Sequence, residues 1–123
     1  MPTREYVTTA VSTDIFGRMI STIRDHHIVV DGPVQNGCPG VAVTPAELFL
    51  AGIGNCAVEL VQVIARETDT PVGRIETEVR GALGAGANPH PAVTLFDSVT
   101  LTVRFTGAAR EDAERLVTAF KAR

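Results

Sequence analysis

Thr44-Pro45-Ala46-Glu47-Leu48-Phe49-Leu50-Ala51-Gly52-Ile53-Gly54-Asn55-Cys56-Ala57-Val58-Glu59-Leu60-Val61-Gln62-Val63-Ile64-Ala65-Arg66-Glu67 is the stretch that decides the fold. Thr44 is a good helix N-cap, and Pro45 follows it where a missing N–H leaves nothing unsatisfied. Glu47 stands three residues after the cap, the spacing of a capping box. Thr68-Asp69-Thr70-Pro71 then stops the run. The spacing predicts one helix from Pro45 to about Glu67, roughly 35 Å long at 1.5 Å per residue. Apolar residues surround almost its whole circumference, which predicts burial on most sides. A chain of 123 residues has too little else to wrap such a helix, which points to a dimer. Gly52 and Gly54 each weaken a helix by about 1 kcal/mol relative to Ala. Two within one turn predict that another backbone packs close there.

Working outward, the N-terminal side reads as strands over Glu5–Ser12, Ile15–Ile23 and His26–Val30, an antiparallel meander with turn chemistry at Asp14 and Gly17. Residues 31–43 hold Asp31-Gly32-Pro33, Asn36-Gly37 and Pro39-Gly40, so they read as loop. On the C-terminal side, Val72–Gly81 is a strand with Ile75, Thr77 and Val79 on one face. Residues 82–92 read as a flexible connection. Val93–Phe105 holds the last strand or two, and Arg110–Ala122 is an amphipathic helix with Ala113, Leu116, Val117 and Phe120 on one face. The class is α+β in a single domain spanning 1–123, with no internal repeat.

Composition narrows the function. The net charge is -3, with 11 Lys and Arg against 14 Asp and Glu, and the basic residues form no cluster. Phosphate neutralisation needs clustered cations, so nucleic acid is not an expected partner. No signal peptide is apparent behind Met1, and Glu47, Asn55, Glu59 and Gln62 interrupt the apolar helix. A cytoplasmic protein without a membrane partner is expected. Its two cysteines, Cys38 and Cys56, are then expected to be free thiols. His26 and His27 are adjacent on a strand, and His90 lies between prolines, so none suggests a metal site. No metal or cofactor is expected. Gly84-Ala85-Gly86 lacks the strand-to-helix setting of a phosphate loop.

Cys56 is the residue that could carry chemistry. As a small apolar side chain in a buried helix it reads as core packing. As a nucleophile it would need a cation nearby, because it lies three turns from the helix N-terminus. Glu59, one turn on, works against a thiolate and would modulate the site. Arg18 and Arg24 on the early strands are the candidate cations.

The run Thr44 to Cys56 resembles the helix signature of the OsmC/Ohr family, the osmotically induced and organic-hydroperoxide-resistance proteins. Asn36-Gly37-Cys38-Pro39-Gly40 resembles the family's Gly-rich loop before that helix, and Phe16-Gly17-Arg18 its Gly-Arg segment. The resemblance implies an intertwined homodimer with antiparallel sheets wrapped around long central helices. It implies thiol-dependent reduction of hydroperoxides, with Cys56 as the peroxidatic thiol and Arg18 as the arginine that keeps it ionised. A small hydroperoxide and a thiol reductant would be its partners. Three departures stand out. The family's second cysteine follows the last helix, where this sequence reads Lys121-Ala122-Arg123. The hydroperoxide-resistance glutamate, ten residues before the cysteine, is here Ala46. Asn55 and Glu59 make the surroundings of Cys56 polar. Cys38 is a possible second thiol. The alternative from another class is a non-enzymatic redox sensor or small-ligand-binding dimer.

Overall fold

The computed structural model describes residues 2–83 and 96–123. The elements run β1 (Thr9–Ser12), β2 (Arg18–Ile23), β3 (His26–Asp31), a single 3-10 turn (Val34–Asn36), α1 (Pro45–Glu67), β4 (Arg74–Ala82), β5 (Ser98–Thr106) and α2 (Arg110–Lys121). The class is α+β, as the sequence predicts. The chain divides into two compact units, residues 1–49 and 50–123, with α1 running across the boundary.

The first unit is the antiparallel meander β1-β2-β3. Only Arg24 and Asp25 join β2 to β3, since Ile23 pairs with His26. Arg24 takes a left-handed φ of 55°, the form that matches a tight hairpin to the twist of its strands. β1 and β2 start later than predicted, and β3 runs one residue longer, to Asp31. Residues 5–8 carry strand-forming side chains but have no paired neighbour among the described residues, and Thr13–Gly17 closes as a loop. In that loop the Thr13 hydroxyl donates to the Arg18 carbonyl at 2.9 Å, and Gly17 takes a φ of 79°. After β3 the chain loops back, and Val43 forms a parallel bridge to Val30. The capping box closes as predicted: Thr44 N–H donates to Glu47 Oε1 at 2.8 Å, and Glu47 N–H to Thr44 Oγ1 at 3.3 Å. The Thr44 N–H, with the Thr44 hydroxyl beside it, holds the Glu47 carboxyl below its ordinary pKa.

The second unit is the β4–β5 hairpin with two helices over one face. Ile75, Thr77, Val79 and Gly81 lie opposite Phe105, Val103, Leu101 and Val99. Val61, Ile64 and Ala65 of α1 meet Leu116 of α2 in the core, and Val72, Ile75, Phe105, Ala119 and Phe120 pack around them. The opposite face is polar, with Glu76 across from Arg104 and Arg80 bonded to Glu78 at 3.0 Å. α1 ends where the Thr70 N–H reaches the Ala65 carbonyl at 2.8 Å past Asp69, whose φ is 52°. That is a Schellman closure with aspartate in place of the usual glycine. Buried Thr70 then accepts a bond from Arg115 Nη2 at 2.8 Å.

Two expectations for α1 can be set against this chain alone. Within its own chain α1 is buried at Gly54, Ala57, Val61, Ile64 and Ala65, the face that the hairpin and α2 cover. Its mean hydropathy of 1.8 over an 18-residue window reaches the level of a membrane span, while its buried stripe packs into the core of the second unit. The glycines also differ. A Cβ at Gly54 would lie 2.9 Å from Thr77 Oγ1 and 3.1 Å from Val79 Cγ2, whereas one at Gly52 would meet nothing within 4 Å. Only Gly54 is a close-packing site here, and what approaches it is side chains rather than backbone. The Thr77 hydroxyl donates to the Gly54 carbonyl at 3.1 Å across this contact. Gly54→Val is expected to lower unfolding stability by about 2 kcal/mol through overpacking, read from urea midpoints at constant slope.

The flexible connection predicted over 82–92, with His90 and Gly84-Ala85-Gly86, falls mostly outside the described residues.

Candidate functional site

Arg18 opens β2, and its side chain crosses to the end of β3. Nε donates to Asp31 Oδ1 at 2.7 Å and Nη2 to Asp31 Oδ2 at 2.9 Å, a two-pronged ion pair. Asp31 is fully buried, and its Oδ2 also accepts the Val41 N–H at 3.0 Å and the Ala42 N–H at 2.8 Å. The guanidinium and the two amide donors hold this carboxyl far below the usual carboxylate range. The pairing raises the Arg18 pKa in turn. The Arg18 side chain remains 28% exposed, and Nη1 takes no partner among the described residues. The ion pair therefore fixes a guanidinium with one edge held and the other edge available.

The loop after Asp31 is shaped to present those amides. Gly37 and Gly40 turn it with φ of 78° and 63°. Gly32 N–H binds the Gly17 carbonyl at 2.8 Å, and the Cys38 side chain packs onto the surface left by these two glycines. A Cβ on Gly17 would come within 2.5 Å of Cys38 Cβ and Sγ. Cys38 is half-buried, and its Sγ points to the Asn36 carbonyl at 3.8 Å. Arg24, the other candidate cation, sits exposed in the tip of the β2–β3 hairpin. His26 and His27 are exposed, with His27 Nδ1 3.0 Å from the Thr22 hydroxyl.

In the second unit, Cys56 is an exposed free thiol. Cys56 therefore does not pack in the core of its own chain. The reason is angular: the buried stripe runs through Gly54, Ala57 and Val61, and Cys56 projects off it. Gly52, one turn before Cys56, adds no side chain to cover the sulfur. Glu59, one turn after, is exposed and lines a groove of ≈ 310 Å³ with Gln62, Val63 and Arg66. Asn55 turns its amide back onto the Ala51 carbonyl at 2.7 Å. Ala46 offers no carboxylate in the first turn, and Glu47 is committed to the cap. Among the described residues no cluster of His, Cys, Asp or Glu is arranged to hold a metal ion.

The model of the family described as OsmC-like protein matches residues 37–123. The chain belongs to the OsmC-like protein family. The OsmC-like fold is shared with solved structures of low identity. One is an OsmC-like protein from Mycoplasma pneumoniae, TM-score 0.79 at 16% identity, covering 98% of this chain and 82% of that one. Another is an organic hydroperoxide resistance protein OsmC from Legionella pneumophila, TM-score 0.76 at 19% identity, covering 99% and 85%. A third, from Vibrio cholerae, carries captopril in one of its active sites; its TM-score is 0.73 at 20% identity, with 98% and 81% covered. No curated protein matches the chain.

Asp31 is the residue that sequence reading missed. Taken as a turn former, it proves to be the acceptor that organises Arg18 and the following loop. The signal was present in the hairpin: with a two-residue turn at Arg24-Asp25, antiparallel register places residue 31 across from residue 18.

Proposed function

We propose that this OsmC-like protein is a thiol peroxidase that reduces organic hydroperoxides in the cytoplasm, with Cys56 as nucleophile and Arg18 as the cation that favours its thiolate. The observation that carries this reading is the exposed thiol of Cys56 on α1, within the segment matched by the family. In the reaction the thiolate attacks the outer peroxide oxygen and the O–O bond breaks. Sulfur is oxidised by two electrons to a sulfenic acid, and the departing alkoxide takes a proton to become the alcohol. A thiol of an external dithiol condenses with the sulfenic acid, releasing water. Its second thiol then displaces Cys56 from the mixed disulfide. Cys38 is not needed in this cycle. Arg18 acts through electrostatics, since a neighbouring cation favours a thiolate and stabilises the charge that develops on the leaving oxygen.

The working unit in this proposal is a homodimer of the single 1–123 domain. In support, α1 is apolar over most of its circumference while its own chain buries one face of it. Sedimentation is expected to give twice the 13.0 kDa chain mass.

The test is direct. The protein is treated with one equivalent of cumene hydroperoxide, and sulfenic acid is trapped with dimedone and mapped by mass spectrometry, alongside peroxide consumption with dithiothreitol. Labelling at Cys56 together with catalytic consumption is the expected result. Labelling without turnover would instead favour the redox sensor. Neither labelling nor consumption removes the enzyme.

A further inference from the structure

Cys38 has no part in the proposed reaction, yet it is built into the scaffold that holds Arg18. Its side chain fills a socket between Gly17, which precedes Arg18 at the start of β2, and Gly32, which follows Asp31 at the end of β3. Gly17 takes a positive φ, where glycine is favoured for the backbone alone, but Gly32 does not. At Gly32 the missing side chain is room for the sulfur: a Cβ there would overlap Cys38 Sγ and stand 2.9 Å from Cys38 Cβ. The loop is pinned on both sides of the socket. Cys38 N–H donates to the Pro33 carbonyl at 3.3 Å, and Gly40 N–H to the Gly32 carbonyl at 3.1 Å. The next two amides, of Val41 and Ala42, are the ones that reach Asp31 Oδ2. A side chain wedged there sets how far Gly17 and Gly32 stand apart, and with them the backbones that carry both members of the ion pair. All of these contacts lie within the first unit, so each chain makes them for itself.

We infer that Cys38 is a positioning residue for Arg18: by filling the socket between Gly17 and Gly32 it holds Asp31 and the loop amides in register, and so fixes the guanidinium. It acts by shape, not as a thiol. Packed interiors do not absorb a change of one side-chain atom without moving their walls, so emptying or overfilling the socket is transmitted to both strand ends. A displacement of about 1 Å produced away from the chemistry can cost about 10²-fold in rate. What Arg18 does for Cys56 rests on the peroxidase reading, whereas the hold on Arg18 is measurable without it.

The experiment compares Cys38→Ala, which empties the socket, Gly32→Ala, which overfills it, and Cys38→Ser, which nearly keeps its shape. All are studied below their melting transitions. Hydrogen exchange of the Arg18 Nε–H, assigned in nitrogen-15 spectra by its loss in Arg18→Met, reads the hold of Asp31 directly. The pH dependence of Cys56 alkylation by iodoacetamide, mapped by mass spectrometry, reads its thiolate, and kcat/KM for cumene hydroperoxide reads the reaction. In Cys38→Ala and Gly32→Ala the Nε–H should exchange at least about tenfold faster than in wild type. The apparent pKa of Cys56 should rise by about half a unit or more, as a displaced cation favours the thiolate less. Turnover should fall about tenfold in step. Cys38→Ser should stay close to wild type in all three. Wild-type exchange of the Arg18 Nε–H in both Cys38→Ala and Gly32→Ala overturns the inference, whatever turnover does. Cys38→Ser as impaired as Cys38→Ala overturns it too, because shape is then not what matters. Faster exchange at Arg18 with no change at Cys56 upholds the positioning of Arg18 and removes its assigned role in the peroxidase reading.

Discussion

Cys56→Ser is expected to leave less than about a thousandth of the wild-type dithiol-dependent turnover of cumene hydroperoxide. In the proposed reaction the thiolate is the nucleophile, and a thiol ionises near pH 8.5 whereas an aliphatic hydroxyl stays protonated in water. The serine alkoxide is then too scarce at neutral pH to sustain attack on the peroxide. Because Cys56 is exposed and buries nothing in its own chain, the substitution should leave the melting temperature nearly unchanged, so lost turnover cannot be assigned to unfolding. Arg18→Met extends the same measurement. It keeps the length of the side chain and removes the charge, and turnover should fall by about 10²-fold, the scale of losing one electrostatic stabiliser. Comparable turnover in Cys56→Ser and wild type would end the assignment of the nucleophile.

Much of the fold is legible in the sequence because the strongest signals are local. Thr44, Pro45 and Glu47 announce the start of α1 through bonds that close within four residues, and Thr68 to Pro71 announce its end. The alternation of Val99, Leu101, Val103 and Phe105 places one face of β5 on the core. What stayed hidden depends on partners distant in the chain. Gly52 and Gly54 are identical as letters, yet Thr77 and Val79 crowd only the second. Residues 5–8 have the composition of a strand, but pairing, not composition, makes one, and β2 offers a partner only from Thr9. The apolar circumference of α1 says that it could be buried all round, not which of its faces this chain covers. The site follows the same rule. Cys56 and Arg18 stand out as residue types, whereas Asp31 matters through the register that brings it to Arg18.

Asp31→Ala is expected to be the most damaging substitution for stability. Among the described residues Asp31 is the only side-chain acceptor for four donors: two from Arg18, and the Val41 and Ala42 N–H groups. Alanine leaves the guanidinium with no counter-charge and two amides with no acceptor, and removing one partner of a buried pair is much more costly than replacing both. A melting temperature lower by about 10 °C or more at pH 7 is expected. The pH dependence identifies the cause. The folded state holds the Asp31 carboxyl below its unfolded value of about 3.9. A depressed carboxyl contributes stability that is fully present above the unfolded pKa and is lost as pH falls through the folded one. Wild type should therefore lose stability below about pH 4, and Asp31→Ala should lack that part of the decline, so the two melting curves converge in acid. A gap that stays constant from pH 7 to about pH 2.5 would show that the carboxylate charge is not what Arg18 and the loop amides require. The same variant frees the Arg18 edge that Asp31 now holds, so hydroperoxide turnover below the melting transition should fall together with stability, towards the level of Arg18→Met.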